Sequence, residues 1–182
     1  MRKLAIALSL CAGPALAAGL EIEVSGEGAN GTITVDLLED VAPKHVEQIT
    51  TLAADGQYDG VVFHRVIDGF MAQTGDVQFG KADGDTSRAG LGGSNLPNLP
   101  AEFSDLPFDR GVVGMARTPD PNSANSQFFI MFAPGPFLNG EYTVVGKVTD
   151  GMDVVDAIKR GTGSSGAVQG QPDVMNKVTV ID

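Results

Sequence analysis

Arg65 stands in the middle of an apolar, β-branched stretch, VVFHRVIDGFMAQTGD, Val61 to Asp76. A guanidinium is charged at any physiological pH and offers five N–H donors in a fixed fork. It suits a task that needs a strong, unchanging donor rather than proton exchange. Two further pairs share one composition, a large apolar group beside an amide: Met71 with Gln73, and Gln127 with Phe129. Residues two apart in a strand lie on one face, so each pair presents both of its groups together. An arginine and two amides on an apolar patch contain no nucleophile. They point to binding, or to catalysis by holding a conformation. A plainer reading, two core strands with amides at their rim, stays open on these residues alone.

Other chemistries find less support. GDVQFGKA, Gly75 to Ala82, follows a phosphate-binding loop for seven positions. It ends in Ala82 where a hydroxyl should meet Mg²⁺, and no helix follows to aim its N-terminus at phosphate. The two histidines, His45 and His64, lack the close spacing of zinc ligands. No G-x-S-x-G elbow occurs, and Ser126 falls in a polar link. No metal and no cofactor is expected.

The elements that must position these groups are mostly short strands. Taken as one continuous strand, Val61 to Ile67 places Phe63, Arg65 and Ile67 on one face and Val62, His64 and Val66 on the other. Asp68-Gly69 is a hairpin signal, so Phe70 to Thr74 should fold back beside the arginine. Leu20, Ile22 and Val24 alternate in a first strand, and Ile33 to Leu38 forms its hairpin partner. Pro43 opens a helix whose apolar stripe is Val46, Ile49, Leu52 and Ala53, with Gly56 as its stop. His45 is expected on the outer, wet side of that helix. Asp76 to Arg110 is a long loop of the kind that is usually functional or mobile. Strands follow around Gly111 to Ala116, Gln127 to Ala133, Tyr142 to Val148 and Lys177 to Ile181, with a short helix at Met152 to Lys159. Strands that do not alternate regularly with helices argue against a doubly wound sheet. The expectation is a mainly β fold, a closed antiparallel β-barrel with helices over its ends.

The N-terminus reads as a leader. Arg2 and Lys3 precede a short apolar run, Leu4 to Gly13, and Ala15-Leu16-Ala17 supplies small residues for cleavage after Ala17. The run is far shorter than the roughly 20 apolar residues that span a bilayer. Cleavage would leave one domain, 18–182, and would remove Cys11, the sole cysteine. The mature chain would then rely on its core alone in an oxidising compartment. Taking Arg2 and Lys3 from the 12 basic residues leaves 10 against 23 acidic ones, a net charge of −13. Such a balance, with no basic run, disfavours nucleic acid and anionic membrane surfaces as partners.

Three blocks carry a family resemblance. FHRVIDGFMAQTGD resembles the cyclophilin signature, and GMART…NSQFFI and FLNGEYTVVGKV resemble the next two blocks in order, so that the likeness covers roughly residues 20 to 182. The MART sequence and Phe137 resemble the bacterial, exported branch. The resemblance implies a peptidyl-prolyl cis–trans isomerase built as an eight-stranded antiparallel barrel capped by two helices. It places Arg65 at the catalytic position. Phe70, Met71, Phe129 and Leu138 take the walls of a proline pocket, and Gln73 and Gln127 the positions that hold the substrate backbone. Ala116 takes a small position that lets the peptide lie close, and His64 lies beside the site. Three residues depart from many members. Phe137 stands for Trp, removing an indole donor, which implies reduced cyclosporin affinity. Arg117 stands for Asn, which puts a peptide-backbone contact in doubt. Tyr142 stands for His and can still line the pocket. The implied partners are proline-containing segments of unfolded exported polypeptides, met in the periplasm by a monomer. The alternative is a chaperone or scaffold that grips such segments with little turnover.

Overall fold

A computed structural model describes residues 18–182. The leader assigned to residues 1–17 lies outside the described residues. Strands β1 (Gly19–Ser25) and β2 (Gly31–Leu37) form the expected hairpin, with Ile22 opposite Ile33. Their alternation turns Leu20, Ile22, Val24, Ile33 and Val35 inward, where all are buried. Each such side chain stabilises the fold by about 1.5–3 kcal/mol relative to an exposed one.

Helix α1 (Pro43–Ala54) has proline in its first turn and buries Val46, Ile49, Leu52 and Ala53. The face that carries His45 and Gln48 is not wet, although Lys44, Glu47 and Thr51 are exposed. His45 is fully buried, and its backbone N–H and ring Nδ1 lie 3.1 Å and 2.6 Å from the same Glu102 oxygen. Gln48 is buried too, donating to the carbonyls of Pro97 and Asn125. The long Asp76 to Arg110 loop covers this face and supplies Glu102, which caps a helix start that has no side-chain cap of its own. The expected outer position of His45 is thereby corrected: its helix face is polar because its cover is polar.

The remaining strands are β3 (Val61–Val62), β4 (Arg65–Ile67), β5 (Met71–Thr74), β6 (Val112–Met115), β7 (Phe128–Met131), β8 (Val144–Asp150) and β9 (Val174–Ile181). A short helix, α2 (Met152–Ala157), packs over β2. All pairings are antiparallel, in the order β3-β9-β1-β2-β8-β6-β7-β5-β4. The two ends of that order are separated by only Phe63 and His64 in the chain. The sheet therefore curls round until its edges meet at one interrupted strand, and the eight expected strands become nine segments.

That interruption changes which residues face where. Phe63 and Val66 are both fully buried in the interior core, although they are three residues apart. Alternation slips by one residue at the break, so Arg65 does not share a face with Phe63. It turns outward with Ile67. Backbone groups at the break bond elsewhere: Phe63 N–H donates to Asp173, Val66 N–H to Gly166, and the His64 carbonyl accepts from Val168.

The same alternation builds two apolar clusters. Ala72, Val113, Phe128, Ile130 and Val145 point into the barrel. Their neighbours Met71, Val112, Phe129, Met131 and Val144 point outward, into a second cluster with Phe108 and Leu138. This outer cluster is the floor on which the site is built.

Candidate functional site

Register aligns the working groups. Arg65 pairs with Gln73, Gln73 with Phe129, and Phe129 with Gly114, giving one row across β4, β5, β7 and β6. The row runs from a cation through an amide to an aromatic ring. Its last member must be small, because a Cβ on Gly114 would lie 2.5 Å from Phe108 and 2.6 Å from Phe129. The bare backbone lets those rings stack, 5.8 Å between centroids at 22°.

Arg65 is held from two sides. Its Nε donates to the Ser165 carbonyl at 3.0 Å, and Nη1 donates to Gln73 Oε1 at 3.1 Å. Met71 Sδ lies 3.8 Å from the same Nη1. Nη2 has no hydrogen-bond partner among the described residues. Gln73 Nε2 donates in turn to Gln127 Oε1 at 2.9 Å, and Gln127 Nε2 to the Gly92 carbonyl at 2.8 Å.

These groups open onto a groove of about 510 Å³. Ten of the residues expected at the site line it: Arg65, Phe70, Met71, Gln73, Ala116, Arg117, Phe129, Phe137, Leu138 and Tyr142. Tyr142 stands edge-on to Phe129 at 5.8 Å, and Phe70 leans on Phe137 at 5.4 Å. Phe137 is 69% exposed, so it forms the rim rather than the floor. Gln127 lines a smaller adjoining cavity of about 130 Å³ that shares Gln73, Ala116 and Arg117 with the groove.

Arg117 is committed to the protein. Its Nε and Nη2 donate to the Glu141 carbonyl at 3.2 and 2.7 Å, Nη1 donates to Thr118 at 3.0 Å, and the guanidinium lies 4.3 Å over the Tyr142 ring. It ties two loops together at the groove wall. His64 lines neither cavity. Its ring packs against Gly90, where a Cβ would come within 3.1 Å, and both ring nitrogens are buried without partners. Its pKa is lowered to about 4, chiefly by burial, with Asp76 opposing and the Arg65 charge adding to the fall. His64 is a neutral spacer behind the arginine at neutral pH.

Several contributors carry no signal in the sequence. Ser165 and Gly92 act through backbone carbonyls, which any residue has. Glu141 lines the groove from a loop. Asp76 ends the opening stretch, and its full burial was the property the sequence did not disclose. Ser126 is buried and donates its hydroxyl to the Gly75 carbonyl, which occupies it structurally. Among the described residues, no group of three or more His, Cys, Asp or Glu side chains is placed to hold a metal. The arrangement can grip an apolar ring, offer a fixed cationic donor beside it, and hydrogen-bond an extended backbone.

A family model described as cyclophilin type peptidyl-prolyl cis-trans isomerase/CLD matches residues 20–180. A probable peptidyl-prolyl cis-trans isomerase of Brucella suis is 60% identical over 153 residues, covering 83% of this chain and 78% of the relative. The crystal structure of a Cryptosporidium parvum cyclophilin type peptidyl-prolyl cis-trans isomerase superposes with a TM-score of 0.76 at 26% identity, over 92% of this chain and 99% of that one. The same protein in the presence of the dipeptide Ala-Pro gives 0.74 at 27% identity, over 90% and 99%.

Proposed function

The chain belongs to the cyclophilin-type peptidyl-prolyl cis–trans isomerases, and on that premise we propose that Arg65 is its catalytic group and exported polypeptides are its substrates. The observation that carries the first part is the position of the Arg65 guanidinium. It is fixed at Nε by Ser165 and at Nη1 by Gln73, beside an apolar groove floored by Met71 and Phe129.

The chemistry follows from the bond. Amide resonance gives an X–Pro C–N bond partial double-bond character, with a rotation barrier of about 18–20 kcal/mol. Rotation needs no nucleophile. It needs the twisted, resonance-broken amide to be held better than either planar form. In the twisted state the proline nitrogen becomes pyramidal and gains a lone pair. A guanidinium N–H aimed at that nitrogen finds an acceptor that hardly exists in the ground state, so its hydrogen bond strengthens at the top of the barrier. Phe70, Met71, Phe129 and Leu138 grip the ring and exclude water, which strengthens the field of Arg65. Gln73 and Gln127 hold the backbone on one side of the bond while the other side turns. Ala116 keeps the wall low enough for the peptide, and Arg117 fixes that wall rather than contacting the peptide backbone.

The substrate assignment rests on the N-terminal leader pattern and on a chain that would keep no cysteine once the leader is removed. Unfolded periplasmic chains contain X–Pro bonds whose uncatalysed isomerisation takes tens of seconds, so a catalyst there shortens folding. Cyclosporin should bind with reduced affinity, because Phe137 offers a ring but no N–H. A protease-coupled assay on an Ala-Pro peptide tests the activity. Cell fractionation with N-terminal sequencing tests the export, which fails if the protein stays in the cytoplasm with Met1 or Arg2 at its start.

A further inference from the structure

We infer that Asp76 is a positioning residue for Arg65, acting through the backbone of Gly92 and the amides of Gln127 and Gln73. The inference deepens the reading of Arg65 as the catalytic group and rests on it.

Asp76 is fully buried, and its carboxylate accepts four backbone N–H groups. Oδ1 takes Gln78 at 3.1 Å and Phe79 at 2.9 Å; Oδ2 takes Gly90 at 2.7 Å and Gly92 at 2.9 Å. An ionised carboxylate offers about four acceptor sites, and all are used. The first two bonds close the turn that Asp76 itself begins. The last two hold a segment 14 and 16 residues further on. That segment is seated directly on the carboxylate: a Cβ on Gly92 would lie 2.5 Å from Oδ1. Leu91, between the two bonded glycines, is 78% exposed, so burial of its side chain does not hold the segment in place. The carboxylate tethers it through Gly90 and Gly92, and Asn125 holds the chain two residues on, at Ser94.

The consequence reaches the arginine because of hydrogen-bond polarity. Arg65 can only donate, and the Gly92 carbonyl can only accept. Two amides lie between them, each with one accepting and one donating end. A complete line exists in one orientation alone, with Gln127 donating to Gly92, Gln73 donating to Gln127, and Arg65 donating to Gln73. Flipping either amide would set donor against donor and acceptor against acceptor. The Arg65 guanidinium and the Gly92 carbonyl are thus the two termini that orient both amides, and Asp76 fixes Gly92. If Asp76 lets the segment go, Gln127 loses its terminus, Gln73 loses the fixed partner of its NH₂, and the Gln73 carbonyl that holds Arg65 Nη1 is anchored from the arginine side alone.

The test is a double-mutant cycle read as kcat and KM on an Ala-Pro peptide. Asp76→Asn removes one of the two accepting oxygens and sets an NH₂ against backbone donors. The expected result is a loss in kcat of roughly 10- to 100-fold, the scale of a misplaced group, with KM changed less than about threefold. In a Gln127→Leu background the same substitution should add less than about twofold, because the line is already cut. An Asp76→Asn enzyme with wild-type kcat overturns the inference, and so does an equal loss with and without Gln127. If Asp76→Asn does not fold, Gly92→Ala replaces it, since the added methyl pushes the segment off an intact carboxylate. A folded Gly92→Ala enzyme should show the same selective fall in kcat, and wild-type kcat in it overturns the inference. An inactive wild-type enzyme would instead refute the isomerase reading.

Discussion

Arg65 and Gln73 are cross-strand partners on β4 and β5, and the guanidinium donates to the amide carbonyl at 3.1 Å. Directly opposed residues in an antiparallel pair lie about 4.5–5.5 Å apart, so their mutual position is set by sheet register rather than by flexible loops. Gln73→Leu should therefore leave the fold intact and release Nη1. The expected outcome is a 10- to 100-fold fall in kcat/KM with a far-UV spectrum like that of the wild type. The protease-coupled assay and circular dichroism check it together.

His64 gives a pH dependence of opposite kind for activity and stability. Its pKa is lowered from 6.5 to about 4 by burial first, so it is neutral across the working range. Isomerase rate should be nearly flat between about pH 6 and 8, because His64 does not change charge there and the mechanism uses no proton transfer. A bell centred on a histidine pKa would make His64 a participant.

Stability should show the titration that activity does not. The unfolded state takes up a proton on His64 below about pH 6.5, whereas the folded state resists until about pH 4. The unfolded state binds more protons in that window, so stability rises with pH there. The contribution is fully present above pH 6.5 and is lost as pH falls toward 4. Thermal unfolding of wild type and His64→Phe, compared from pH 7.5 to 4.5, should show a steeper fall for the wild type. Parallel curves would contradict the assignment.

Glu102 separates folding from catalysis. It caps α1 through the Lys44 and His45 N–H groups and accepts the buried His45 ring, and its pKa is lowered by those bonds against an opposing desolvation. Glu102→Ala should cost about 1.5–3 kcal/mol, the range for hydrogen bonds to a charged group. Urea denaturation measures that loss. The kcat per folded molecule should not change, because Glu102 lines neither cavity.

Much of this architecture was legible in the residues, for identifiable reasons. Alternation marked β1 and β2, helical spacing and Pro43 marked α1, and Asp68-Gly69 marked the turn that brings Gln73 back beside Arg65. Each of those signals is local. The failures came where the deciding partner is far along the chain. Alternation assumes a continuous strand, and the Val61 to Ile67 strand breaks where Asp173, Gly166 and Val168 take its backbone bonds. His45 looked solvent-facing because its helix face is polar, and the sequence does not say that a loop 57 residues away covers it. Ser165 and Gly92 contribute carbonyl oxygens, which no side-chain pattern reveals. The β9 strand starts at Val174, three residues before the expected Lys177, because its first turn of pairing serves β3 and the end of β1.

The central claim is that a fixed guanidinium on β4 performs the catalysis. Arg65→Ala tests it most directly, assayed on an Ala-Pro peptide at pH 7 beside a thermal unfolding curve. Removing one preorganised donor typically costs roughly 100- to 1,000-fold in rate, and that loss is the expected result, with Tm near the wild-type value. Arg65→Lys should also lose activity, since a point charge on a flexible stem does not reproduce the fork held by Ser165 and Gln73. A folded Arg65→Ala protein that isomerises the peptide at the wild-type rate would contradict the account.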